Sequence, residues 1–217
     1  MITDNNIQRD VMEELEYEPG VDHTRIGVAV RDGVVTLAGT VENYVQKLTA
    51  EKAARRVSGV RAIVEELKVQ LPFAPAMGDG EIARRIVNAL GWDSALPRKG
   101  VEVKVENGWV TLSGEVDWHY QSDAAKSAVA RIHGVRGVTN LLAVRKQPMA
   151  GDIRQRIVQA FERSADVDAA AVHVMTEGGT VRLSGKVKAW HEREMAERAA
   201  WAAPGVTNVE DNIVLSF

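Results

Sequence analysis

The sequence predicts an α+β fold of three tandem αββαβ units, each a three-stranded mixed sheet covered on one face by two helices. Three observations carry that expectation. First, Asp32-Gly33-Val34-Val35-Thr36-Leu37-Ala38-Gly39-Thr40-Val41 returns as Asn107-Gly108-Trp109-Val110-Thr111-Leu112-Ser113-Gly114-Glu115-Val116 and again as Gly178-Gly179-Thr180-Val181-Arg182-Leu183-Ser184-Gly185-Lys186-Val187. Second, the flanks keep fixed offsets. Gly59, Gly134 and Gly205 follow Gly39, Gly114 and Gly185 by 20 residues, and Ile7, Ile82 and Ile153 precede Gly33, Gly108 and Gly179 by 26. Third, hydrophobic periodicity changes in the same order within every copy.

Each copy opens with apolar residues four apart: Ile7, Val11, Leu15; Ile82, Ile86, Leu90; Ile153, Ile157, Phe161. That spacing lines one face of a helix, and Asp4 and Asp79 stand where an N-cap is expected. Alternation follows in Ile26, Val28, Val30, in Val101, Val103, Val105 and in Val172, Val174, the mark of a half-buried strand. Asp32-Gly33 and Asn107-Gly108 predict tight hairpins, with Gly178-Gly179 serving in the third copy. The second strand is expected to bury Val35, Leu37, Val41 and their counterparts. An alanine-faced helix comes next (Ala50, Ala53, Ala54; Ala125, Ala128, Val129; Ala196, Ala199, Ala200). Gly59 and Gly134 read as its C-caps, and Pro204 as its stop in the third copy. A last strand carries Ile63, Leu67, Val69, then Val138, Leu142, Val144, then Val209, Ile213, Leu215. Gly33, Gly39, Gly59, Gly108, Gly114, Gly134, Gly179, Gly185 and Gly205 are thus structural turn glycines.

Proline-bearing spacers at 72–78 and 146–151 set the expected domains at 1–71, 78–147 and 149–217. Basic and acidic residues number 9 and 12 in residues 1–71, 10 and 8 in 72–148, and 8 and 10 in 149–217. Only the middle unit is net positive. The chain as a whole, at −3, lacks the basic surface that nucleic-acid binding needs, so no nucleic acid is expected as partner. With no cysteine, disulfides, thiolate metal sites and cysteine nucleophiles are excluded. The polar start contains no apolar run of signal length, and no stretch is long enough to span a bilayer. The expected location is the cytoplasm, or the periplasm if a signal was removed ahead of residue 1.

These motifs resemble those of the BON-domain family: a helix, a Val-x-Val strand, Asp-Gly-x-Val-Thr-Leu-x-Gly-x-Val, an alanine-rich helix, and Gly-Val-x-x-Val-x-Asn-x-Leu. The middle copy follows the pattern almost throughout, ending in Gly134-Val135-Arg136-Gly137-Val138-Thr139-Asn140-Leu141-Leu142. The first copy departs with Glu65 at the Asn140 position. The third departs with Asp211 there and Arg182 in place of threonine. The resemblance implies phospholipid or membrane-surface binding, kinship with osmotically inducible proteins and, as in one cytoplasmic relative, potassium binding.

No catalytic constellation is present, and neither an enzyme activity nor a cofactor is expected. None of the 5 histidines pairs with another at helical ligand spacing, and no HExxH or Gly-x-Ser-x-Gly occurs. No metal site is assigned. Glu13, Glu14, Glu16, Glu18 and Asp22 bunch near the end of the first helix, as a solvated face or a cation site. The candidate contact residues are aromatic and stand where the second strand meets the second helix: Tyr44; Trp118, His119, Tyr120; Trp190, His191. Rings with a polar tip suit a headgroup interface. Alternatively they staple the helix entry or fill gaps between units. Trp109, Thr111, Leu141, Ala143, Val34, Ala29 and Val64 point away from the helices by alternation, so the sheet faces need cover. The expected function is non-enzymatic stress-related binding, with anionic phospholipid or an envelope protein as partner. The alternatives are a small-ligand or monovalent-cation sensor and a module that self-associates through its sheet faces into a homo-oligomer.

Overall fold

The computed structural model describes residues 3–70, 77–97, 100–146, 152–164 and 171–216. Helix, hairpin, helix and strand follow one another three times. The first set is α1 (Asp4–Tyr17), β1 (Ile26–Arg31), β2 (Val34–Val41), α2 (Tyr44–Arg56) and β3 (Ala62–Val69). The second is α3 (Asp79–Trp92), β4 (Val101–Glu106), β5 (Trp109–Val116), α4 (His119–Ala130) and β6 (Gly137–Asn140) with a short β7 (Ala143–Val144). The third is α5 (Ile153–Arg163), β8 (Val172–Glu177), β9 (Thr180–Val187), α6 (Trp190–Trp201) and β10 (Asn208–Leu215). The spacer prolines at 72, 75 and 148 lie outside the described residues.

In every sheet the second hairpin strand is central. β1 runs antiparallel to β2 and β3 parallel to it; β8, β9 and β10 repeat the arrangement. The parallel register is the same throughout, with Val35 opposite Ile63, Val116 opposite Val144 and Val181 opposite Val209. The last strand of the middle set breaks at Leu141–Leu142, yet pairing resumes in register at Ala143.

The apolar stripes land as their periods require. Ile7, Val11 and Leu15 join Val35, Leu37, Ala50, Ala53 and Leu67 in one core, and Ile153, Ile157 and Phe161 join Val181, Leu183, Ala196 and Ile213 in another. In the middle set Ile82, Ile86, Val110, Leu112, Ala125 and Val129 are fully buried. Ala50, Ala125 and Ala196 are 0% exposed, because only a methyl fits where the second helix lies against the sheet. Two compact units emerge: residues 1–90 with 103–111 and 127–139, and residues 91–102 with 112–126 and 140–217.

Two local readings change. Asp4 and Asp79 do not cap their own helices; the N-cap of α1 is Thr3, whose hydroxyl accepts from Asn6 N–H. Asp4 reaches the hairpin instead, accepting from the amides of Asp32 and Gly33 at 2.8 and 3.0 Å. Asp79 does the same for Asn107 and Gly108 at 2.8 and 2.9 Å. Those amides belong to a turn with φ positive at both central residues, and a carboxylate satisfies both at once. The third hairpin is left-handed only at Gly178, and the sequence has Ala150 where Asp4 and Asp79 stand.

Gly59 and Gly134 likewise do not cap helices. α2 ends at Arg56 with Val57 extended, and Gly59 sits in the following turn, which the Val60 amide closes on the Val57 carbonyl. The same turn recurs at 132–135 and 203–206, where Pro204 and Gly205 take its two central positions, so Pro204 belongs to the turn and α6 has already ended at Trp201.

Candidate functional site

The corners between the central strand and the second helix are held by side chains reaching back. Asn43 caps α2 by accepting from Gln46 N–H, and Gln46 Oε1 accepts from Glu42 N–H, both at 2.9 Å. Gln121 repeats this with the amides of Asp117 and Trp118 and adds a bond from Nε2 to the Ala95 carbonyl. Glu192 accepts from Lys188 N–H. Side-chain bonds of this kind fix the direction in which the chain enters the helix.

That direction decides what the aromatic residues meet. Tyr44, His119 and Trp190 occupy the same place, the first residue of α2, α4 and α6. Tyr44 is only 8% exposed. Burial pushes its phenol pKa up, opposed by a hydrogen bond from the Val138 backbone and aided by the charges of Glu51 and Glu65. His119 stacks on Trp201, with ring centroids 3.9 Å apart and planes 12° from parallel, and its Nδ1 lies 3.3 Å from Asp123 Oδ2. Trp190 is half-buried with the Arg193 guanidinium 5.5 Å from its ring centroid. Trp118 is half-buried, whereas Tyr120 and His191 are exposed. Position 44 therefore turns inward, position 119 lies against another ring, and 120 and 191 face solvent.

The acidic bunch is divided among partners. Arg56 donates to Glu14 and Glu18 at 2.7 and 2.9 Å, which raises its own pKa, and Asp22 accepts from Thr24 and faces Arg25. The Thr24 hydrogen bond, foremost, holds the Asp22 carboxyl below its ordinary value. Among the described residues no group of three or more histidines and carboxylates is placed to hold a metal ion, and no buried side-chain nitrogen or oxygen lacks a hydrogen-bond partner. No described helix is long and apolar enough to cross a membrane. A groove of about 510 Å³ runs between α1 and β1, lined by Gln8, Met12, His23, Ile26 and Val28 among others.

Among the described residues, the aromatic side chains most open to solvent stand elsewhere. Trp92 is 89% exposed and Tyr17 83%, each the last residue of the first helix of its set. The signal was present, since the two are separated by the same 75 residues as Ile7 and Ile82, but neither belongs to the apolar stripe. A second missed group pairs the second helix with the last strand. Lys47 Nζ meets Glu65 Oε2 at 2.7 Å and Arg193 Nε meets Asp211 Oδ2 at 2.5 Å. In the middle set Asn140 Nδ2 donates to Ser122 Oγ at 2.8 Å. In all three the strand residue also accepts the amide two positions on, from Leu67, Leu142 or Ile213. The departures at 65 and 211 from the family pattern are thus matched by the helix residue opposite.

The repeated hairpin, alanine-faced helix and last strand match the BON domain family model over residues 3–70, 78–146 and 150–216. The chain belongs to the BON-domain family. Among curated proteins it is similar to osmotically-inducible protein Y of Escherichia coli, at 33% identity over 63% of this chain and 70% of that protein. It is also similar to the outer membrane lipoprotein DolP of Haemophilus influenzae, at 32% identity over 52% of this chain and 60% of that one, less than two thirds of DolP's length. A structure of CdsD, a structural protein of the type III secretion system of Chlamydia trachomatis, aligns over 96% of this chain and 91% of its own, at 14% identity and a TM-score of 0.25. That score is too low to bear on the fold. In the three BON domains here, the positions 44, 119 and 190 carry tyrosine, histidine and tryptophan.

Proposed function

We propose that this chain is a non-enzymatic, stress-related binding protein whose BON domains contact anionic phospholipid or an envelope component bearing anionic groups. The observation that carries the reading is Trp92, 89% exposed, together with Tyr120, 58% exposed, in the BON domain that alone has more basic than acidic residues. An indole and a phenol left in water by folding gain by entering a headgroup layer, and a basic excess draws them toward an anionic one. Trp118, Trp190 and His191 belong to the same contact surface in this proposal, while Tyr44, being buried, does not. The kinship with an osmotically-inducible protein and with an outer membrane lipoprotein supports the setting.

Co-sedimentation with phosphatidylglycerol vesicles tests it, with phosphatidylcholine vesicles as the neutral control. Binding is expected to the first alone, to weaken with added salt and to blue-shift tryptophan emission. Replacing Trp92 and Tyr120 by alanine is expected to weaken it by about tenfold. Absence of binding to the phosphatidylglycerol vesicles, or equal binding to both, overturns the reading.

A further inference from the structure

Each sheet has one outer strand that opens its hairpin: among the described residues β1, β4 and β8 are each paired on one side only. In β4 the Gly100 carbonyl, just ahead of the strand, accepts from Glu115 N–H of β5 at 2.9 Å. Alternation then turns the backbone of Glu102, Lys104 and Glu106 toward β5 and that of Val101, Val103 and Val105 away from it. Such outward groups are a template for another strand unless something covers them.

Two of the three edges have their middle outward carbonyl bonded by a side chain of the first helix. Gln8 Nε2 donates to the Val28 carbonyl at 2.7 Å in the first domain, and Arg154 Nε donates to the Val174 carbonyl at 3.1 Å in the third. The equivalent helix residue in the middle domain is Ala83, whose methyl has nothing to donate. Among the described residues no side chain bonds the Val103 carbonyl. One turn further along α3, Val87 stands where α1 has Met12 and is 58% exposed.

We propose that β4 is a dimerisation edge, on which a second copy of this chain adds its own β4 antiparallel about a two-fold axis through Val103. The occupant follows from the strand itself. In that register Val103 faces Val103 of the second copy, and Val101 faces Val105 of the second copy. All of these are outward-bonding residues, so each pair exchanges both backbone hydrogen bonds. On the face away from the helices Glu102 comes opposite Lys104 of the second copy, and Lys104 opposite its Glu102, which are attractive cross-strand pairs. On the helix side the incoming valines cover Val87. An axis through Lys104 instead would set lysine against lysine and Glu102 against Glu106 of the second copy, both like-charge pairs. A two-fold contact requires a self-complementary patch, and Val-Glu-Val-Lys-Val is one. In the monomer, among the described residues, Lys104 pairs along its own strand with Glu106 at 3.0 Å, and both side chains are about two-thirds exposed. The contact is one strand wide, so association is concentration-dependent.

Sedimentation velocity on the full chain over a concentration series tests this. The expected result is a shift from 23.7 kDa toward twice that mass. Ala83→Gln, which installs the cover used by the first domain, and Lys104→Glu, which sets like charges across the axis, are each expected to hold the protein monomeric with an unchanged circular dichroism spectrum. The double exchange Glu102→Lys with Lys104→Glu is expected to restore the dimer. A parent that stays monomeric to its solubility limit overturns the proposal, as does a dimer that survives Ala83→Gln and Lys104→Glu or a double exchange that stays monomeric.

Discussion

An ideal Cβ built on Gly39 lies 2.0 Å from the Arg25 carbonyl oxygen, and those on Gly114 and Gly185 meet the carbonyls of Gly100 and Ala171 at 2.0 and 2.1 Å. These residues also have φ between 110° and 137°. The central strand comes this close to the chain entering the hairpin, and only a hydrogen in place of Cβ permits it. Gly39→Ala is therefore expected to destabilise the first BON domain by about 3 kcal/mol or more, combining steric clash with backbone strain. Gly27 faces outward on β1, where a Cβ would sit 3.6 Å from its nearest neighbour at negative φ. Gly27→Ala is expected to be neutral or to stabilise by up to about 1 kcal/mol, because it narrows the unfolded ensemble. Urea unfolding followed by circular dichroism compares the two; a similar loss in both would contradict the close approach.

Helix and hairpin are tied by one side chain in the first two BON domains. Asp79→Ala removes two hydrogen bonds to the turn amides of Asn107 and Gly108, so the variant is expected to lose about 1–3 kcal/mol. Thermal unfolding measures it, and an unchanged melting temperature would show that water replaces the carboxylate at no cost. This tie also marks how far the sequence could be read. Stripes such as Ile7, Val11, Leu15 and turns such as Asp32-Gly33 are local codes, so the elements and their order were legible. An aspartate at a helix start is ambiguous, because its own helix and a hairpin 28 residues away both offer free amides; only the packed fold chooses. Gly59 was misplaced by one turn for a related reason, as a glycine after a helix serves a cap or the next turn equally well. Of the aromatic residues, type and corner position were readable, but inward or outward orientation was not. Tyr44 and Tyr120 differ in what packs beside them, which no local pattern encodes.

At the scale of the chain, residues of the middle BON domain divide between the two compact units, 78–90, 103–111 and 127–139 with one and 91–102, 112–126 and 140–146 with the other. Domains of this size have marginal cores, and repeats that share contacts unfold together. Differential scanning calorimetry is expected to resolve at most two transitions, and three, one per domain, would contradict the division. Tandem copies with such similar cores face a further hazard, since a helix can dock on a neighbour's last strand during folding. The pairs at 47 and 65, 122 and 140, and 193 and 211 bear on it. Were α2 to dock on the second domain's strand, Lys47 would meet Asn140, and Glu65 would be left facing Ser122, so each exchange between adjacent domains strands a charge. The one exchange that keeps a cation opposite an acid joins the first and third domains, which are the farthest apart along the chain. The alternation of charged, neutral and charged pairs thus works as an address, written so that the misassembly most favoured by tethering is the one that mismatches.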